Sequence, residues 1–123
     1  MNHQLFSALY HQAMKYTILD QYISDLGQQD WMGKYGEIQL REILTKIYDL
    51  ANNDFTTNRK LVDENRSEFA RMYNIPIRTV QSWELGERKI IGYVKELVDY
   101  SIFVNELFNL ELKRNCNKKS KER

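Results

Sequence analysis

Positive charge in this chain gathers in two places. Residues 59–89 hold 7 lysine and arginine side chains against 5 acidic ones, a net of +2. Arg66, Arg71, Arg78, Arg88 and Lys89 are among them. Residues 1–58 and residues 90–112 each carry a net of −3, and residues 113–123 carry +5. The whole chain, at +1, says little. The distribution says more: it favours a polyanionic partner for the middle zone and for the C-terminal tail.

Other chemistry finds no host. His3 and His11 lie eight positions apart on one expected helix, with no carboxylate or thiol at ligand spacing, so no metal site is expected. The lone cysteine, Cys116, cannot form an internal bridge, which fits a reducing, cytoplasmic setting. No glycine-rich phosphate loop, serine elbow or Cys–His arrangement occurs. The acidic residues are spread over polar faces and do not converge. The expectation is a non-enzyme without cofactors. The first residues lack the basic-then-apolar layout of a signal peptide, and no apolar run is long enough for a membrane span.

The elements that must position the charge are helical. Five glycines and a single proline in 123 residues point to an all-α protein. Apolar residues at Leu5, Leu9, Tyr16, Leu19, Ile23 and Leu26, widened by Phe6, Ala13, Met14 and Tyr22, predict one helix ending at Gly27. Trp31, Met32 and Tyr35 follow in a glycine-broken connection and are expected to plug it onto the core. Leu40, Ile43, Leu44, Ile47, Tyr48 and Ala51 predict a second helix. Asp54 is a candidate N-cap for a short helix to about Glu64, with Phe55, Leu61 and Val62 inward. Asn65 and Glu68 fit a capping box for another of about eight residues, with Phe69, Ala70 and Tyr73 inside. Pro76 interrupts the pattern once. It disfavours helix at Ile75 and tolerates the first turn of a new helix, which then stops at Gly86. Ile90, Val94, Leu97, Ser101, Val104 and Phe108, spaced 4, 3, 4, 3, 4, open a last helix to about Lys113. Stripes through Tyr93, Tyr100 and Leu107 and through Ile91, Val98 and Ile102 flank it. So apolar a helix needs two surfaces to cover, and the second is either the N-terminal helices or another copy of the chain.

Two short helices, a turn fixed by Pro76, and a second helix with small or polar outward residues describe a helix-turn-helix. In such a unit the second helix enters a DNA major groove N-terminus first. Residues 55 to about 100 resemble the lambda-repressor/Cro-like (XRE-type) helix-turn-helix family. The resemblance is carried by Glu68-Phe69-Ala70, by Tyr73-Asn74-Ile75-Pro76, by Arg78-Thr79-Val80-Gln81-Ser82-Trp83-Glu84, and by Gly86 and Arg88. The family usually has Ser-Gln where Asn65-Arg66 stand, and a proline near Ile91-Gly92. The resemblance implies that Ile77, Arg78, Thr79, Gln81 and Ser82 face the groove, with Arg78 suited to guanine and Gln81 to adenine. It implies phosphate contacts for Arg66, Arg71, Arg88 and Lys89, and core positions for Val80 and Trp83. Glu84 is expected to cap or pair locally.

The domain plan that follows is an N-terminal helical extension over 1–54, a helix-turn-helix domain with a long last helix over 55–112, and a basic flexible tail over 113–123. The expected function is that of a sequence-specific transcriptional regulator of a phage or mobile element. It would bind double-stranded DNA as a homodimer. The alternative is a protein-interaction module on the same fold, such as a phage-encoded, anti-CRISPR-like inhibitor of a host defence nuclease. The near-neutral net charge and the acidic N-terminal half motivate it.

Overall fold

Asparagine, aspartate and glycine mark the ends of most of the helices. A computed structural model of the chain describes residues 1–27 and 36–121, with side chains as far as Glu106. The described residues form helices only, as the composition predicts: α1 His3–Ala13, α2 Leu19–Leu26, α3 Glu37–Asn52, α4 Phe55–Val62, α5 Arg66–Tyr73, α6 Ile77–Leu85 and α7 Gly92–Lys121. Trp31, Met32 and Tyr35 lie outside the described residues.

The single helix expected over Leu5–Leu26 is two. Three residues just past α1, Tyr16, Thr17 and Ile18, are aromatic or β-branched and favour helix weakly. Tertiary bonds stabilise the break. Tyr22 Oη donates to the Leu9 carbonyl at 2.9 Å, Asn52 Nδ2 to the Ala13 carbonyl at 3.2 Å, and Tyr48 Oη to the Tyr16 carbonyl at 3.2 Å. Carbonyls at a helix end need such partners when covered. Met14, expected in the apolar stripe, is 47% exposed.

One buried cluster runs through the molecule. Phe6, Leu9 and Tyr10 of α1, Leu44, Ile47 and Leu50 of α3, Phe55, Phe69, Val80, and Val98, Ile102 and Phe103 of α7 belong to it. The core therefore crosses position 54, and α1, α3 and α4 all pack on α7.

Of the three stripes expected on helix α7, the structure buries Val98 and Ile102 of the third rather than the leading 4, 3, 4, 3, 4 spacing. Leu97, Tyr93 and Ile91 are more than half exposed, and Val104 is exposed too. Glu96 and Asp99 are buried instead, beside Val98, Ile102 and Phe103. Partners make that possible. Asp99 accepts from Tyr10 Oη at 2.7 Å, Asn58 Nδ2 at 2.9 Å and Lys95 Nζ at 2.8 Å, and Lys95 Nζ also donates to the Leu50 carbonyl at 3.0 Å. A buried carboxylate is tolerable only with donors of this kind. The helix also continues to Lys121, past the end expected near Lys113.

On α4 the inward residues are Phe55, Asn58 and Arg59. Leu61, expected inward, is 51% exposed. Asp54 caps α4 through the Thr57 amide at 2.8 Å. Asn65 caps α5, accepting from the Ser67 and Glu68 amides at 2.9 and 3.3 Å. Glu68 does not reach back to complete the box; it pairs with Arg71, one turn along the same helix. Asn65→Ala should lower stability by about 1 kcal/mol, read from the urea midpoint, while Asn65→Asp should stay near wild type.

Candidate nucleic-acid interface

Helices α5 and α6 meet at a three-residue turn, Asn74-Ile75-Pro76. Asn74 takes the left-handed conformation, φ 57°, and its amide donates to the carbonyls of Ala70 and Arg71. The Ile75 amide also returns to the Ala70 carbonyl, at 2.9 Å. The chain then restarts at once: the Thr79 and Val80 amides bond the Pro76 carbonyl at 3.0 and 3.3 Å. At the far end Gly86, φ 78°, closes α6, and a side chain there would be strained.

The inner side of α6 is locked. Val80 is fully buried. Trp83 meets Phe55 edge-to-face with ring centroids 5.3 Å apart. Phe69 packs edge-to-face on Phe55 and stacks on Tyr73 at 4.5 Å. Such contacts contribute beyond area burial and fix orientation.

The strongest lock is electrostatic. Glu84 does not pair locally. Its side chain, 3% exposed, meets Arg59 of α4, 4% exposed, with Arg59 Nε on Oε1 at 2.7 Å. Arg66 Nε of α5 takes Oε2 at 2.6 Å. Arg59 Nη1 also donates to the carbonyls of Asp63 and Glu64 at 2.9 and 2.8 Å, holding the end of α4. One carboxylate thus ties three helices. Burial pushes the Glu84 carboxyl up, and the two guanidinium groups outweigh it and hold it below the ordinary glutamate range.

The outer side of α6 is free of such ties. Arg78 and Gln81 are exposed; Ile77, Thr79 and Ser82 are half-buried. Arg78, Thr79 and Ser82 line one shallow depression with Glu87 and Arg88, about 350 Å³ in volume. Ile77 lies in a neighbouring depression with Ser67, Arg71 and Pro76. Arg88 and Lys89 are exposed, and Arg71 is 71% exposed beside Glu68. Arg66 divides its guanidinium between Glu84 and solvent, at 35% exposure. Among the described residues Arg78, Arg88 and Lys89 have no ion-pair partner. A rigid helix therefore presents a guanidinium, a carboxamide and two hydroxyls, flanked by cations. That donor set fits base edges and phosphates.

Arg59 was not singled out by the sequence, although it stands one turn beyond Phe55 on the inner face of α4. The carboxylate that the sequence does not place at ligand spacing from His3 and His11 comes from α7. Glu96, buried, lies 3.0 Å from His3 Nε2 and 2.5 Å from His11 Nε2, and accepts from Ser7 Oγ at 3.2 Å. Among the described residues no group of three His, Cys, Asp or Glu side chains is arranged to hold a metal ion, and no helix is long and apolar enough to cross a membrane.

No family model, curated protein or solved structure matches the chain.

Proposed function

We propose that the chain binds double-stranded DNA in a sequence-specific way, with α6 in the major groove, and acts as a transcriptional regulator. One observation carries the reading. The inner side of α6 is fixed by Val80, Trp83 and the Arg59–Glu84–Arg66 tie, while Arg78 and Gln81 stand exposed and uncommitted on its outer side. Fixed presentation of hydrogen-bonding side chains is what base readout requires, because the groups lose little freedom on binding. In this reading Arg78 reads guanine, Gln81 reads adenine, and Ile77 meets a thymine methyl group, with Thr79 and Ser82 beside them. Arg66, Arg71, Arg88 and Lys89 set the register on phosphates.

Arg78→Ala should weaken binding to a selected duplex by roughly 1–3 kcal/mol, about 5- to 150-fold, with unchanged thermal stability because the side chain is exposed. Lys89→Ala should weaken binding to all duplexes alike and flatten the salt dependence by about one phosphate. Fluorescence anisotropy on selected and scrambled duplexes separates the two effects. Equal affinity of Arg78→Ala and wild type on the selected duplex would remove α6 from the interface. It would return weight to a protein-directed role on the same fold.

A further inference from the structure

One carboxylate stands among the cations on the outer side of α6. Glu87 lines the shallow depression shared by Arg78, Thr79, Ser82 and Arg88, and no other residue lining it is acidic. The end of α6 fixes its backbone. Past Gly86, φ 78°, the Glu87 amide donates to the Ser82 carbonyl at 3.0 Å, and the Arg88 amide donates to the same carbonyl at 3.2 Å. The Glu87 side chain is exposed, and Ser82 Oγ donates to its Oε2 over a long 3.5 Å. Among the described residues Glu87 has no ion-pair partner, although two arginines line the same depression. The acids nearby on α5 and α6 are treated differently: Glu68 pairs with Arg71, and Glu84 with Arg59 and Arg66.

We infer that Glu87 is a specificity-determining residue of this surface, accepting a hydrogen bond from the N4 amine of a cytosine. The inference rests on the reading of α6 as the helix that enters the groove. An ionised carboxylate can only accept hydrogen bonds. Phosphates repel it. On a surface that meets DNA, it is therefore favourable only against a base edge that donates. Two bases donate in the major groove, adenine through N6 and cytosine through N4. Adenine sets the acceptor N7 beside its amine, which a carboxylate opposes, whereas cytosine presents a donor alone. The rest of the depression does not duplicate this role. Arg78 and Arg88 are donors only, and Thr79 and Ser82 offer uncharged hydroxyls. Position narrows the site. Arg78 and Glu87 stand near the two ends of α6, whose nine residues span about 14 Å. At about 3.4 Å per base pair, the cytosine lies within roughly four pairs of the guanine that Arg78 reads. The same charge lowers the attraction for unrelated DNA, so it favours the selected sequence twice over.

The test is a set of selected duplexes carrying each of the four base pairs at one position at a time. They are titrated by fluorescence anisotropy against the wild type, Glu87→Ala and Glu87→Gln. The wild type should prefer cytosine at one position by about 5- to 150-fold over the other bases. Glu87→Ala should bind all four duplexes at that position within about threefold of one another, keep its preference at the guanine read by Arg78, and bind scrambled duplexes more tightly. Glu87→Gln should move the preference at that position towards adenine, which a carboxamide suits. Both variants should melt with the wild type, because the Glu87 side chain is exposed and its amide, which both retain, makes the cap bond. A Glu87→Ala chain that keeps the cytosine preference would overturn the inference and leave the reading of α6 standing. A wild type that enriches no sequence would overturn both.

Discussion

Glu84→Ala should cost the fold about 3–5 kcal/mol, a large part of the roughly 5–15 kcal/mol that stabilises an ordinary domain. The magnitude follows from burial. An ion pair in water is worth roughly 0–1 kcal/mol, because solvent screens it and long side chains must be held still. Glu84 and Arg59 are 3% and 4% exposed. Removing the carboxylate leaves the Arg59 guanidinium buried, with only the Asp63 and Glu64 carbonyls to hold it. Arg66, 35% exposed, can turn to water, so the cost lies chiefly with Arg59. The measurement is the urea midpoint followed by circular dichroism; a change below about 0.5 kcal/mol would show that the tie contributes little. The same group sets a pH dependence. Its carboxyl is held low in the folded chain, so its contribution is fully present above the ordinary glutamate range and is lost as pH falls through its folded value. Glu84→Gln, which keeps the shape and removes the titration, should show a correspondingly shallower acid limb.

Asp99→Leu should be as damaging, about 3–5 kcal/mol, for a related reason. Three donors converge on this fully buried carboxylate. Without it, Tyr10 Oη loses its acceptor and only accepts from Lys95, while Asn58 and Lys95 each keep the Leu50 carbonyl and Asn58 still accepts from Asn53 Nδ2. The double variant Asp99→Leu/Lys95→Met should recover at least half of the loss, since replacing both members of a buried pair with apolar groups is often near neutral. No recovery would mean that the network matters through its hydrogen bonds to Tyr10 and Asn58 more than through its charge. Asp99 titrates in the opposite sense to Glu84. Burial raises its carboxyl above the ordinary range despite Lys95, Tyr10 and Asn58, so its ionised form weighs against the fold and that burden lifts as pH falls through the raised value. Comparing wild type with Glu84→Gln isolates the first effect from the second.

The all-helical class and most helix ends were legible because each rests on local chemistry. Asp54, Asn65 and Gly86 cap where side-chain oxygens and a missing Cβ allow it, and Pro76 opens α6 through its fixed backbone angle. What could not be read was set by distant residues. The break after Ala13 depends on Tyr22 of the next helix and on Tyr48 and Asn52, which lie far along the chain. The buried face of α7 depends on donors from α1 and α4, and on Lys95 of α7 itself held by the Leu50 carbonyl of α3, that make Asp99 and Glu96 acceptable inside. Apolar periodicity, which counts only apolar side chains, therefore marked Val98 and Ile102 but could not rank their stripe above the others or place Glu96 and Asp99 beside them. The candidate interface divides the same way. Exposure of Arg78 and Gln81 followed from their positions opposite Val80 and Trp83, a local matter. That Arg66 is half committed to Glu84, and that Arg59 anchors the site from below, are facts of three helices meeting.

Selection of bound duplexes from a random pool, followed by titration at several salt concentrations, bears on the role of α6 more than any other experiment. The reading predicts one enriched sequence, bound at least 10³-fold more tightly than scrambled DNA, with affinity falling by roughly three to four powers of the salt concentration per chain as phosphate counterions are released. A pool that yields no enriched sequence, or binding indifferent to salt and to Arg78→Ala, would contradict it.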